Sequence, residues 1–274
     1  MPAAVVTGAG RGLGRAICHE LATRGFSVFA TDVEEALAAD TAAALGQGAA
    51  AAALDVRDRV ACDDVAARCA EELGSLDLWV NNAGVLITGN SWEQDDAARR
   101  TMMDVNATGT MNGTLAALGP MMSRGRGHIV NVISLAGLVA APGEVAYSAS
   151  KHAAMAFTLG TLFDLRRDGI KGIDLSAVCP DGIWTPMLNR RLDDPSAAGS
   201  FSGKLLTPEQ VAAEVGKLVE KPRPVLVIPR WRGPMIRLFD ALPGAAIRLA
   251  PLLMRDAERR QRRYKKLIQS GRWP

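Results

Sequence analysis

The sequence predicts an α/β protein: a doubly wound, mostly parallel sheet of about seven strands, followed by a helical, basic C-terminal extension. Three observations carry that reading. Short apolar runs alternate with longer helical stretches along most of the chain. A glycine-rich turn directly follows the first apolar run and opens the first helix. Finally, residues 230–274 break from the rest in charge and pattern.

Taken in order, the strand candidates are residues 3–7, 27–31, 49–54, 76–80, 128–133, 173–178 and 224–228. The helical stretches between them cover about 13–24, 58–73, 97–122, 146–168 and 208–220. Residues 36–53 are alanine-rich, which suits a helix and blurs the start of the third strand. Thr207-Pro208-Glu209-Gln210 marks a helix start, with an N-cap threonine, a first-turn proline and a glutamine at the capping-box position. Residues 186–206, with Pro195, Gly199, Ser200, Ser202 and Gly203, form the least regular stretch of the body. A lid, a binding segment or plain disorder all fit a stretch of that length. These boundaries divide the chain into a body, 1–229, and an extension, 230–274.

Composition narrows the classes. At 274 residues, with 48% hydrophobic and 22% charged residues, the chain suits one large soluble domain. Cys18, Cys62, Cys69 and Cys179 are scattered without a CxxC pair, so free thiols in a reducing cytoplasm are expected, with Cys62 and Cys69 in the core. His19, His128 and His152 show no metal-ligand spacing, so packing roles and no metal are expected. Met1-Pro2 leads directly into an apolar strand, which argues against a secretory signal. The net charge of +3 conceals an asymmetry: residues 230–274 carry twelve Arg/Lys against three Asp/Glu, leaving twenty against twenty-six in the body. The extension is thus +9 and the body −6. The high pI is therefore no argument for nucleic-acid binding by the body.

Thr7-Gly8-Ala9-Gly10-Arg11-Gly12-Leu13-Gly14 supplies a phosphate-binding turn. Glycines let the backbone approach a pyrophosphate, and the helix N-terminus stabilises its charge. No Lys-Ser/Thr pair follows the last glycine, so a P-loop is excluded. Asp32 ends the second strand, eighteen residues after Gly14, where a dinucleotide site uses an acid on the adenosine ribose hydroxyls. That carboxylate would repel a 2′-phosphate and favours NAD. Arg11 argues the other way, for NADP, with less weight.

Tyr147 and Lys151 lie four residues apart, so on a helix they share one face. A free tyrosine, with a pKa of about 10, is a poor base near neutrality. A neighbouring ammonium favours the phenolate and makes the pair a candidate proton-transfer device.

With these motifs the body resembles the short-chain dehydrogenase/reductase family over about residues 3–229. Thr7-Gly8-xxx-Gly12-x-Gly14, Asn81-Asn82-Ala83-Gly84, Asn106, Ser134 and Tyr147-xxx-Lys151 occur in the family's order. The resemblance implies a Rossmann-type fold and a homo-oligomer. It also implies catalytic roles for four residues. Tyr147 would be the general acid/base and Ser134 a hydrogen-bond donor to the substrate oxygen. Lys151 would lower the tyrosine pKa and bind the nicotinamide ribose, and Asn106 would hold a water in a proton relay. Taken singly, Ser134 reads as a strand end and Asn106 as a helix residue bonded to backbone.

The cofactor contacts implied are Gly8, Arg11, Gly12, Leu13, Gly14, Asp32, Asp55, Val56, Asn82, Ala83, Gly84, Tyr147, Lys151, Pro180, Ile183 and Thr185. One departure stands out. The family's Pro-Gly is here Pro180-Asp181, with Gly182 one position later. Either the loop is shifted by one residue or Asp181 takes an unusual conformation. A carboxylate there could also favour the oxidised, positively charged nicotinamide.

In the extension, residues 235–254 are apolar but interrupted by Arg237, Asp240, Pro243, Arg248 and Pro251, too often to span a bilayer. Two short helices are expected, 234–242 and 244–254, followed by the basic cluster 259–266. A peripheral membrane helix, a lid over a lipophilic pocket, or a packed cover on the body or a partner subunit all suit this pattern. The leading functional expectation is an NAD-dependent cytoplasmic oxidoreductase interconverting a secondary alcohol and a ketone, on a steroid-, terpenoid- or lipid-like substrate. The alternatives are an NADPH-dependent carbonyl reductase and a non-catalytic nucleotide-binding or membrane-scaffold protein on the same fold.

Overall fold

A computed structural model describes residues 1–273. Every predicted strand run forms a strand: β1 (Ala3–Thr7), β2 (Ser27–Asp32), β3 (Ala49–Ala53), β4 (Leu78–Asn81), β5 (Gly127–Val132), β6 (Ile173–Pro180) and β7 (Val225–Ile228). They form one sheet in the order β3-β2-β1-β4-β5-β6-β7, and every pairing is parallel. The strand order reverses between β1 and β4, opening the crevice where ligands bind in such sheets.

Helices cover both faces. One carries α1 (Gly12–Thr23) and α8 (Pro208–Glu220), whose Ile17, Leu21, Val211 and Val215 pack on the strands. The other carries α3 (Arg59–Glu72), α5 (Gly109–Arg124) and α6 (Val145–Arg167), around Phe29, Trp79, Met121 and Leu165. The alanine-rich stretch divides into α2 (Glu35–Leu45) and β3. All four cysteines are free and buried, Cys62 and Cys69 within the second core. The Thr207–Gln210 capping box forms as expected. His128 is buried with Nε2 2.8 Å from the Ser176 hydroxyl, and burial pushes its pKa down to about 4.

Three segments differ from the sequence expectation. The predicted helix 97–122 is α4 (Asp96–Met102) and α5 joined by a π-helical turn, Met103–Thr108, which contains Asn106. Such wide turns cluster at functional sites. Second, 186–206 is not an open loop. It holds α7 (Pro186–Asn189) and a 3₁₀ segment (Pro195–Phe201), with Phe201 fully buried.

Third, the extension forms α9 (Arg232–Ala241) and a single long α10 (Pro243–Gln269) that runs on through the basic cluster. Pro251 removes one helical N–H, yet the helix continues because its second half is docked. Ala257 and Gln261 are buried, and Gln261 Nε2 donates to the carbonyls of Arg191 (3.1 Å) and Asp194 (2.8 Å). The Tyr264 hydroxyl accepts from the Leu205 amide at 3.1 Å, and its ring meets Trp273 edge-on at 5.1 Å. The extension thereby orders the 186–206 segment.

Candidate active site

A single cavity of about 1260 Å³ opens at the carboxyl ends of the strands, across the switch crevice. Of the catalytic and cofactor residues expected from the sequence, all but Asn106 line it. The glycine turn is shaped for close approach. Gly8 has φ +61°, and a Cβ there would sit 2.8 Å from Ala83 Cα. A Cβ on Gly14 would lie 2.1 Å from the Gly8 carbonyl oxygen. Arg11, the N-cap of α1, makes no side-chain cap, so the first amides of the helix remain free to bind an anion. The turn is held from behind: Asn82 Nδ2 donates to the carbonyls of Thr7 (2.9 Å) and Gly8 (3.1 Å), and the Thr7 hydroxyl accepts from the amides of Asn82 and Ala83 at 3.0 Å.

Asp32 is buried at the end of β2, and its Oδ2 accepts from the Gly10 amide at 3.0 Å. Arg11, the residue favouring a 2′-phosphate, is paired with Glu34 at 3.1 Å. That partner was not anticipated, since nothing local in the sequence marks Glu34. Asp55 and Val56, after β3, line the same end of the cavity.

At the other end, α6 presents Tyr147 and Lys151 on one face, with the ammonium 5.8 Å from the phenol ring centre. Lys151 is buried and donates to the Val132 carbonyl at 3.0 Å. Burial lowers its pKa to about 8. Ser134 follows β5, and its hydroxyl accepts from the Ala136 amide at 3.1 Å. The protein's own groups do not produce the expected lowering of Tyr147. Burial pushes its pKa above the usual tyrosine value, the Glu144 carboxyl adds to that, and only the Ser134 hydroxyl opposes it.

Asn106 sits behind the cavity. Its amide exchanges two hydrogen bonds with the Val85 backbone, at 2.8 and 2.9 Å, and donates to the Ser150 hydroxyl at 3.0 Å. It thus ties the irregular segment following β4 to α6, one residue from Lys151.

Two further groups escaped the sequence reading. Glu144 is buried at the start of α6, lines the cavity and accepts from the Ser200 hydroxyl at 2.6 Å. Burial raises its pKa to about 7, with Ser200 opposing. The second is Arg232, the first residue of α9, whose Nε lies 2.8 Å from Asp181 Oδ2. Both side chains are buried, and the contact is ionic, without an aligned hydrogen bond between those two atoms. Arg232 also donates to the Ser202 hydroxyl at 2.9 Å.

The pair accounts for the departure at Pro180-Asp181. No non-glycine residue among those described has a positive φ, so Asp181 takes an ordinary conformation. The position that tolerates no Cβ is Gly182, where one would meet the Ser200 carbonyl oxygen at 1.9 Å. With Arg232 against it, the Asp181 charge is largely neutralised, which weakens the expectation that it favours an oxidised nicotinamide.

The remaining wall comes from the extension: Met235, Ile236, Phe239, Ala246, Ile247, Ala250 and Leu253 line the cavity beside Ile183, Met187 and Leu188.

Residues 2–196 match the short chain dehydrogenase family. The chain belongs to that family. It is 40% identical over 230 residues to the 2-(R)-hydroxypropyl-CoM dehydrogenase of Xanthobacter autotrophicus, covering 79% of this chain and 88% of that one. Its fold matches a short chain dehydrogenase/reductase from Burkholderia phymatum, solved with NAD, at a TM-score of 0.80 and 28% identity. That match covers 91% of this chain and 95% of the other. It also matches an actinorhodin polyketide ketoreductase variant solved with NADPH, at a TM-score of 0.75 and 29% identity, covering 83% and 95%. The chain is accordingly an oxidoreductase of the short-chain type.

Proposed function

We propose that the protein is an NAD-dependent oxidoreductase interconverting a lipophilic secondary alcohol and its ketone. The observation that carries this reading is that one cavity joins Ser134, Tyr147 and Lys151 to an uncapped, glycine-lined helix N-terminus. The residues fit a dinucleotide. Gly8, Gly12 and Gly14 leave room for a pyrophosphate, with Leu13 beside it. Asp32 would hold the adenosine ribose, Asp55 and Val56 the adenine, and Lys151 the nicotinamide ribose. Asn82, Ala83, Gly84, Pro180, Ile183 and Thr185 line the groove between. The nicotinamide supplies hydride acceptance.

In the oxidation direction, Tyr147 must first lose its own proton, and its phenolate Oη then accepts the substrate hydroxyl proton as the carbonyl forms. Ser134 donates a hydrogen bond to the same oxygen and orients it. Lys151, with its pKa brought down to about 8, is poised to relay that proton. The Asn106 side-chain amide is occupied by Val85 and Ser150, so a relay water would draw on the second lone pair of its backbone carbonyl, which also accepts from the Thr110 hydroxyl at 2.8 Å.

Two observations support NAD over NADP: the buried Asp32, and the pairing of Arg11 with Glu34, which engages the cation that would meet a 2′-phosphate. The apolar wall from α9 and α10 supports a lipophilic substrate. Exposed Leu115 and Met122 on α5 and Phe163 on α6 support a homo-oligomer, and the free, buried cysteines fit a cytoplasmic setting. A comparison of kcat/KM for NAD⁺ and NADP⁺ over a panel of secondary alcohols tests the reading. A preference for NADP⁺ would move the assignment to the carbonyl-reductase alternative. Absence of turnover across sterol, terpenoid and long-chain alcohols would remove the lipophilic class.

A further inference from the structure

We infer that the α9–α10 hairpin seats the enzyme on an anionic phospholipid surface. This goes beyond the redox assignment and does not depend on it. The first half of α10 projects from the body with apolar side chains in solvent. Leu252 is 62% exposed, and Leu249, Leu238 and Leu242 are exposed as well. No helix among the described residues is long and apolar enough to cross a membrane, so the hairpin would lie along the interface.

The charges are ordered. Arg248, Arg255, Arg259, Arg262 and Lys266 are all exposed, at spacings of seven, four, three and four. At 3.6 residues per turn these spacings place them in one stripe along α10, with Leu249 and Leu252 beside it. Arg262 lies 3.8 Å from Glu258, while Arg248, Arg255 and Arg259 have no carboxylate partner among the described residues.

A basic stripe flanked by exposed leucines matches an anionic lipid surface on both counts, headgroup charge and acyl boundary. Nucleic acid would leave the leucines in water. A second copy docked tail to tail would bring two +9 segments together. The opposite face of the same hairpin lines the cavity, so a seated enzyme would draw an apolar substrate from the bilayer without passing it through water.

The test is co-sedimentation of the full chain with phosphatidylcholine vesicles, with and without phosphatidylserine, at low and high salt. The expected result is binding to the phosphatidylserine vesicles alone, lost at high salt. Each arginine at the surface is worth about five-fold in partitioning, so Arg248→Ala, Arg255→Ala and Arg259→Ala together should weaken it on the order of 100-fold. Leu249→Ser with Leu252→Ser should weaken it at unchanged charge, and none of these side chains lines the cavity. Unaltered circular dichroism separates these effects from misfolding. Failure to bind anionic vesicles at low salt, or equal binding by the arginine variant, overturns the inference. So does a self-association, seen by light scattering, that the same arginine substitutions abolish, because it assigns the surface to a second copy.

Discussion

The Arg232 guanidinium and the Asp181 carboxylate meet at 2.8 Å, joining the first turn of the C-terminal extension to the end of β6. The extension is therefore part of the wall of the candidate active site. Removing one member of a buried ion pair leaves the other uncompensated, at a cost of about 3–5 kcal/mol. Arg232→Met should lower stability to urea by about that amount, and Asp181→Gly alone should also destabilise. The double variant should recover much of the loss. Independent, additive effects in this cycle would show that the two residues are not coupled.

In the proposed assignment, Asp32 and Glu34 together set the cofactor preference. Asp32→Ser with Glu34→Ser should free Arg11 and remove the charge that repels a 2′-phosphate. The ratio of kcat/KM for NADP⁺ over NAD⁺ should rise by about tenfold or more, equivalent to about 1.4 kcal/mol. An unchanged ratio would mean that neither carboxylate faces the ribose.

Glu144 couples to the titration of Tyr147. Its pKa of about 7 in the fold lies above its ordinary 4.5, so the folded state holds that proton more tightly. The stability it contributes is complete below about pH 4.5 and is lost as pH rises through 7. Once ionised, Glu144 also raises Tyr147 further. Glu144→Gln should remove that destabilisation above pH 7 and shift the kcat/KM profile for alcohol oxidation to lower pH. A profile that stays in place would separate Glu144 from Tyr147.

His128 acts in the opposite sense. Its pKa of about 4 in the fold lies below its ordinary 6.5, so the unfolded chain binds the proton more tightly. Its contribution is complete above pH 6.5 and is lost as pH falls toward 4. From pH 7 to pH 5 the wild type should lose about 2 kcal/mol more stability than His128→Gln, measured by urea unfolding at each pH. Parallel losses would place the acid sensitivity elsewhere.

Local patterns made much of this legible in the sequence. The strands announce themselves as apolar runs, and Tyr147 and Lys151 share a helix face through a four-residue spacing that needs no tertiary information. The glycine turn is equally local. What stayed hidden depends on distant packing. Glu144 and Ser200 are 56 positions apart, and only folding brings them together. Asp181 reads as a family departure until Arg232 is found against it. The full length of α10 was also hidden, because a charged run past Met254 shows no apolar stripe long enough to mark a helix. Docking of Gln261 and Tyr264 on the 186–206 segment extends it.

The central claim is that Tyr147 moves the substrate proton beside a bound nicotinamide. Its most direct test is NADH formation from NAD⁺ and a lipophilic secondary alcohol, comparing wild type with Tyr147→Phe and measuring NADH binding in parallel. The account predicts a fall in kcat of about 10²–10⁴-fold with cofactor affinity retained. Turnover at the wild-type rate in Tyr147→Phe, with NADH still bound, would contradict it.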